Sequence, residues 1–520
     1  MNKNFVWTIF GTIFWTILLT IFGTTEIFAE NKTLPEDMKT EFVKANINLE
    51  NVGLYIQNLN KAPQKILINY NGEKLFKPAS VMKLVTTYAG ILNLGTDFVW
   101  QTKIYADNKV NEDGILNGNL YIFGGGDPNL TFDELYKLLT KLFVEYNVKR
   151  INGNIIFNNS LFNLSDELQN TLAEDFDGYK FAPYNVIPKP LIFDLQTLNL
   201  LFYLDAKNQI QVKTLPQLSQ LVINTKNLIL SKNNKNKNKN KICPKDWEDN
   251  LIYTNKQANN KNSKNSNNKI ILNIAGSIPE NCLQNKPQKI YVAALNNFEN
   301  NVVFFNSIWH QLGGKIFGKF IEENQKISLE NLHYFFTYNS KSLGETIKPI
   351  NKFSNNVMTR LLYLSLPLKN SNNNTFSLEK SNKTIKEILA KHNINFDNAI
   401  FDNGAGLSRK TKFSLYSLNA LLIHAWNNKK MPEFIQSLPI FGEDGTLKKR
   451  YANSIYKGQV HLKTGHINGV KNVAGYYQTT HGNRYTISFF INDENVATMQ
   501  NYYDIIHLIF DYIESNDNDK

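Results

Sequence analysis

Lys77-Pro78-Ala79-Ser80-Val81-Met82-Lys83 opens an apolar run in which Val81, Leu84, Val85, Tyr88, Ala89 and Leu92 recur at intervals of three and four. That period predicts a buried helix over Ser80–Leu94, with Pro78 at its start and Gly95 at its stop. Positions i and i+3 share a helix face, so the Ser80 hydroxyl and the Lys83 amine fall within hydrogen-bond reach. Lys83 is therefore the candidate general base for a Ser80 nucleophile. A lysine serves as a base only when neutral near pH 7, and burial, a helix N-terminus and a second cation all lower its pKa. An isolated S-x-x-K is an ordinary surface helix turn. Its weight here comes from two later tripeptides, Ser354-Asn355-Asn356 and Lys463-Thr464-Gly465, which in this order complete a serine acyl-transfer site.

Ser354 and Asn356 stand two apart, which in an extended or tight loop turns both side chains to one cleft. Ser354 can relay a proton from Lys83 to a leaving amine, and Asn356 can hold a substrate amide while bonding Lys83. In a chain this rich in Asn the triplet alone is noise; its place just before a helix starting at Val357 gives it meaning. Lys463 closes the strand candidate Gln459–Lys463 and supplies the second cation. Lys463 and Thr464 suit a terminal carboxylate, by charge and by hydrogen bond. Gly465 lacks the side chain that would block a peptide pairing along that edge. The backbone N–H groups of Ser80 and His466 are the expected oxyanion hole, a role indifferent to the His466 side chain. No H-E-x-x-H or H-x-x-E-H spacing occurs among the eight histidines, so the chemistry calls for no metal and no cofactor. His461 and His466 read as packing or rim residues.

At 520 residues and 42% hydrophobic, the chain is long enough for more than one core. Lys3, the run Phe5 to Phe22 and Ile27-Phe28-Ala29 read as an export leader cleaved near Ala29, leaving residues 1–29 outside the mature protein. An uncleaved anchor is the other reading, since about 18 apolar residues is near the lower limit for a span. Either way the expected address is the periplasm, soluble or loosely membrane-associated. The net charge of +12 does not point to nucleic acid, because Lys232–Lys269 holds ten lysines against Asp246, Glu248 and Asp249. That Asn/Lys-rich tract buries little and reads as solvated loops, with weak attraction to an anionic envelope surface as its electrostatic alternative. Cys243 and Cys282 are the only cysteines. In an oxidising compartment such a pair favours a disulfide over a metal or redox site, two free buried thiols being the other reading.

Val52–Leu59 and Ile66–Tyr70 read as strands, with Asn71-Gly72 as the turn after them. From Val99 to Ala293 short β-like runs dominate, interrupted by a helix over Phe132–Tyr146. Helical spacing returns at Phe298–Leu312, Val357–Leu366, Ile385–Lys391, Leu415–Trp426 and Val496–Ile513, with strands Asn472–Thr479 and Tyr485–Ile491 before the last. The fold class is α+β: a catalytic domain split into 30–98 and 294–520 by a mostly β insertion, 99–293. Within the insertion a second domain covers about 99–200 with a return near 270–293, and a third covers about 201–269. Gly124-Gly125-Gly126-Asp127-Pro128 looks superficially like a phosphate loop, but nothing that follows fits one, so it reads as a turn.

The three motifs, with Lys77-Pro78-Ala79-Ser80, Gly125-Gly126-Asp127-Pro128, Asp402-Asn403-Gly404-Ala405-Gly406-Leu407-Ser408-Arg409 and Asp444-Gly445-Thr446-Leu447 in the same order, resemble the low-molecular-mass class C penicillin-binding proteins. The resemblance implies a penicillin-binding, serine β-lactamase-like catalytic domain carrying an inserted domain with a third inside it. It also implies removal of the terminal D-Ala from peptidoglycan stem peptides and cleavage of D-Ala-to-diaminopimelate cross-links, with β-lactams as slow acylating inhibitors. Cys243-Pro244, Trp247 and Cys282 look like the family's loop disulfide. Arg409 resembles the arginine that contacts the donor side chain. Two departures stand out. Glu174–Pro183 matches poorly, leaving Asp175, Asp177 and Tyr179 as candidates for substrate contacts, and Thr359-Arg360 replaces a small residue and an acid. A β-lactamase-like hydrolase, or a wall-binding protein with weak catalysis, are the competing readings.

Overall fold

Strands Val460–Ile467, Val470–Gln478, Arg484–Ile491, Val52–Asn58 and Ile66–Tyr70 lie side by side in that order, every neighbouring pair antiparallel. Residues from near both ends of the chain thus build one sheet in the computed structural model, which describes residues 33–60, 65–164, 176–231, 243–244, 246–257, 269–284, 286–370 and 376–517. The leader at 1–29, Asp175 and most of the Asn/Lys-rich tract lie outside the described residues.

Alternation along the strands sorts the sheet's two faces. Leu54, Ile56, Val473, Tyr477, Ile487 and Phe489 share one core with the Tyr502–Asn516 and Glu36–Lys44 helices. Tyr55, Ala474, Tyr476 and Phe490 face the other, with the Leu415–Trp426 helix and the all-helical layer beyond it. At the centre of that layer is the Met82–Leu94 helix, buried at every position from Met82 to Ile91 and ended by Gly95 at φ 87°. A helix apolar all round has no solvent face. It packs on the Leu343–Lys352 and Asn356–Ser365 helices.

Several local expectations shift. Ser80 sits not in the α-helix but in a 3₁₀ turn, Ala79–Val81, in which the Val81 N–H donates to the Pro78 carbonyl at 3.2 Å and Ala79 takes φ 46°. The strand expected to stop at Lys463 runs on to Ile467, so Lys463-Thr464-Gly465 lies in mid-strand. Helix Leu343–Lys352 was not legible because Pro349 breaks its pattern; a capping box between Ser342 and Glu345 starts it.

The insertion is larger than its sequence suggested. Phe320–Glu323 and His333–Asn339 form the two edges of a five-stranded sheet with Ile155–Asn158, Leu120–Phe123 and Gln101–Ala106 between them. Helix Asn297–Gln311 shares a core with that sheet through Val303, Phe304, Phe305, Ile308 and Trp309. The boundary placed at 293/294 therefore moves to about residue 340, since these residues bury their apolar faces against strands from 101 to 158. The return placed near 270 also moves. Ile270–Pro279 is the central strand of a separate sheet, between Leu221–Ser231 and Leu251–Gln257, while Gln288–Val292 pairs with Leu198–Leu204. Cys243 and Cys282 are joined by a disulfide, S–S 2.08 Å, across a separation of 39 residues. Closing a loop of that length restricts the unfolded chain by about 3–4 kcal/mol in the chain-entropy model. Gly124–Pro128 is a packing node: a Cβ on Gly125 would lie 2.0 Å from the Gln101 carbonyl oxygen, and the Gly126 N–H donates to the Pro190 carbonyl at 2.8 Å.

The Ser80 turn is held from outside. Gly406, at φ 76°, lies so close that a Cβ there would come within 1.8 Å of the Ala79 oxygen, and a Cβ on Gly465 would meet the Pro78 oxygen at 2.5 Å. Gly465 thus serves the packing of its strand on the turn. Because backbone cannot yield as a flexible side chain does, Gly406→Ala should displace the turn. Its second-order rate of acylation by a fluorescent penicillin should fall at least ten-fold while the far-UV circular dichroism spectrum is retained.

Candidate active site

Three separate parts of the fold converge on one amine. The Lys83 Nζ lies 2.8 Å from Ser80 Oγ, 2.6 Å from Asn356 Oδ1 and 2.7 Å from the Ala405 carbonyl oxygen. The amide of Asn356 has a defined orientation, because its Nδ2 donates to the Tyr184 carbonyl at 3.3 Å, which leaves Oδ1 for the lysine. The loop carrying Ala405 is fixed in turn: the Thr86 hydroxyl donates to the Gly404 carbonyl at 2.6 Å, and Asn403 Nδ2 to the Leu407 carbonyl at 2.8 Å. Lys83 is fully buried. Burial first, then the charges of Lys463 and Arg360, push its pKa well below the usual lysine value.

A neutral amine has two N–H donors and one lone pair. Asn356 Oδ1 and the Ala405 carbonyl can only accept, so in the neutral form of Lys83 they would take both N–H groups and leave the lone pair to the Ser80 hydroxyl.

Ser354, at φ 58°, precedes Asn355, whose side chain caps the Asn356–Ser365 helix by accepting from the Met358 N–H. The capping turn brings Ser354 Oγ to 2.9 Å from Lys463 Nζ, which also donates to the Thr464 carbonyl at 2.8 Å. Lys463 is fully buried, and burial lowers its pKa to about 7. The Thr464 hydroxyl stands 3.2 Å from that of Thr446. Val460–Ile467 is an edge strand. On the side away from Val470–Gln478, the Leu462 N–H bonds the Pro439 carbonyl and the Val460 carbonyl bonds the Phe441 N–H. The register has no bulge from Val460 to Ile467. The two-residue period therefore turns the His466 N–H to the open edge beside the Ser80 turn. The His466 ring Nδ1 lies 3.2 Å from the Val470 carbonyl.

At the rim, Arg409 donates to Asp177 Oδ1 and to the Asn468 carbonyl, both at 2.7 Å, with its guanidinium 5.4 Å from the Phe176 ring centre. Tyr179 is half exposed and joins this rim only through its carbonyl, which accepts from Asn185 Nδ2. The structure thus gathers Ser80, Lys83, Ser354, Asn356, Lys463, Thr464, Gly465 and the His466 backbone in one place, with Arg409 and Asp177 beside it. Sequence reasoning passed over the Ala405 carbonyl, Tyr184, Thr446 and Phe176, and marked Arg360 only as a departure from the family pattern. The stretches 402–409 and 444–447 carried the signal for two of these, whereas Tyr184 and Phe176 lie where no pattern marked them.

A profile of the D-Ala-D-Ala carboxypeptidase 3 (S13) family matches residues 35–508. The D-alanyl-D-alanine carboxypeptidase DacB of Haemophilus influenzae is 26% identical over 458 residues, 86% of this chain and 87% of its own. The D-alanyl-D-alanine carboxypeptidase of Actinomadura sp. strain R39 is 22% identical over 78% of this chain and 71% of its own. Among solved structures, penicillin binding protein 4 of Haemophilus influenzae superposes with a TM-score of 0.68 at 23% identity, covering 88% of this chain and 94% of that one. The same protein in complex with a β-lactam gives 0.67 at 22% identity over 91% and 98%. The architecture is therefore that α+β penicillin-binding fold, and the chain belongs to the D-Ala-D-Ala carboxypeptidase 3 (S13) family, as a serine-type carboxypeptidase.

Proposed function

We propose that this enzyme hydrolyses the terminal D-Ala–D-Ala bond of peptidoglycan stem peptides through an acyl-enzyme on Ser80, and that it also opens D-Ala-to-diaminopimelate cross-links. The observation that carries the reading is the fully buried Lys83 amine, whose Nζ stands 2.8 Å from Ser80 Oγ. Ser80 Oγ attacks the penultimate D-Ala carbonyl carbon, and its proton passes to Lys83 Nζ. The N–H groups of Ser80 and His466 take the oxyanion. When the C–N bond breaks, the proton moves from Lys83 by way of Ser354 to the leaving amine. Water then attacks the ester, giving its proton to Lys83, and Ser80 leaves with it. Asn356 holds the substrate amide, while Lys463 and Thr464 take the terminal carboxylate. A cross-linked chain leaves by the same path as free D-Ala, because the bond broken is chemically the same.

Arg409, with Asp177 and Tyr179, lines the side from which the stem peptide's donor residue enters. A β-lactam offers a strained amide beside a carboxylate, so it acylates Ser80 and keeps its leaving group tethered; the β-lactam complex of the Haemophilus protein supports this reading. Stem peptides are found in the cell envelope, and with the leader-like residues 1–29 the periplasm is the compartment we assign. Among the described residues no helix is long and apolar enough to cross a membrane.

Protein lacking residues 1–29, incubated with penicillin, should show by intact mass one covalent adduct that is absent from Ser80→Ala. A folded protein without adduct would overturn the mechanism. The pH dependence has two opposed parts. Lys83 must be neutral, so acylation climbs as pH rises through its lowered pKa. Lys463 must be charged to hold a carboxylate, and in the free enzyme that charge falls away above about pH 7. KM for a D-Ala-D-Ala peptide should therefore rise above pH 7, and a substrate amidated at its C-terminus should lose that rise.

A further inference from the structure

Arg360 is buried with 2% of its surface exposed, on the helix that begins with Asn356. Its Nη1 donates to the Val186 carbonyl at 3.0 Å and reaches the Asn185 carbonyl at 3.5 Å. Its Nε has no partner. No described carboxylate forms an ion pair with it within 4.0 Å. A guanidinium buried without a paired acid is costly to fold around, which asks for a role that offsets the cost. The backbone it grips is the continuation of Tyr184, whose carbonyl orients the Asn356 amide and so presents Oδ1 to Lys83.

We propose that Arg360 is a positioning residue for acylation: by pinning the Asn185–Val186 backbone against its helix, it fixes the Tyr184 carbonyl, hence the Asn356 amide, hence the direction of the Lys83 lone pair. The inference rests on the serine–lysine reading above. Electrostatics works in the same sense. Lys83 is faced by Lys463 from the Val460–Ile467 strand and by Arg360 from the Asn356–Ser365 helix, and both disfavour its protonation. Arg360 is faced by Asp402 from the loop at 402–409, which favours its charge, and Tyr363 on its own helix is also within the field of Asp402. Tyr184 on the wall segment is influenced chiefly by burial and by Asp177. Burial lowers the pKa of Arg360 only to about 10, so it is a full cation at neutral pH.

Arg360→Met removes both the grip and the charge, and Arg360→Lys keeps the charge but not the planar fork. The second-order rate of penicillin acylation is measured against pH, with the adduct-forming fraction titrated at each point. In Arg360→Met the acid limb should move up by on the order of one pH unit, because a neighbouring cation no longer favours the neutral lysine. In Arg360→Lys the limb should stay in place while the plateau rate falls several-fold. A merely structural arginine would lower the adduct-forming fraction and leave the limb where it is. An unmoved limb in Arg360→Met, or, should that variant not fold, a wild-type plateau in Arg360→Lys, overturns the proposal. Failure of the wild-type protein to form any adduct would instead overturn the serine–lysine reading.

Discussion

A lysine amine that reaches a buried position beside Ser80 must lose its solvation, and the rest of the molecule is arranged around that constraint. An isolated ammonium taken out of water costs several kcal/mol even after relaxation. The neutral amine costs far less, provided its two N–H groups find acceptors. Here they find Asn356 Oδ1 and the Ala405 carbonyl, 273 and 322 residues along the chain from Lys83. Bringing such distant groups to one atom requires the sheet that joins both ends of the chain, the helix buried on all sides, and the glycine-tight contact between Gly406 and the Ser80 turn.

Excess positive charge follows from the same arrangement. Lys83, Lys463 and Arg360 are all buried in one region, and like charges in low dielectric repel strongly. Both lysines yield, Lys83 to burial and to its two cationic neighbours and Lys463 to burial alone. Lys463 and Arg360 nevertheless face different surroundings. Lys463 has Ser354 and an open strand edge before it, where a carboxylate would restore the charge that burial removes. Arg360 faces backbone carbonyls behind the site, out of reach of a substrate.

Much of this was legible in sequence because the relevant signals are local. The 3.6-residue period from Val81 to Leu92 fixed the central helix, and the S-x-x-K spacing placed Lys83 one turn beyond Ser80. Period-two runs located Val52–Asn58, Ile66–Tyr70 and Arg484–Ile491 to within a residue or so. What escaped depends on contacts between distant segments. A backbone carbonyl such as that of Ala405 or Tyr184 has no side-chain signature. The insertion's limit near 340 was hidden because strands such as Lys315–Ile316 and Phe320–Glu323 are too short to show a period, and they gain their partners only from residues 150 to 158. Gly465 was recognised as special, but its neighbour is the protein's own Pro78, and only the packed structure shows that.

The central claim is that Lys83 is neutral in the resting enzyme at physiological pH, and direct titration of its side chain tests it. With ¹³Cε-labelled lysine, and Lys83→Arg to assign the resonance, the chemical shift is followed from pH 5 to pH 11. The account predicts a Lys83 signal already in its neutral position at pH 7 to 8, changing only toward acid. A signal that stays that of an ammonium up to pH 10 would contradict it.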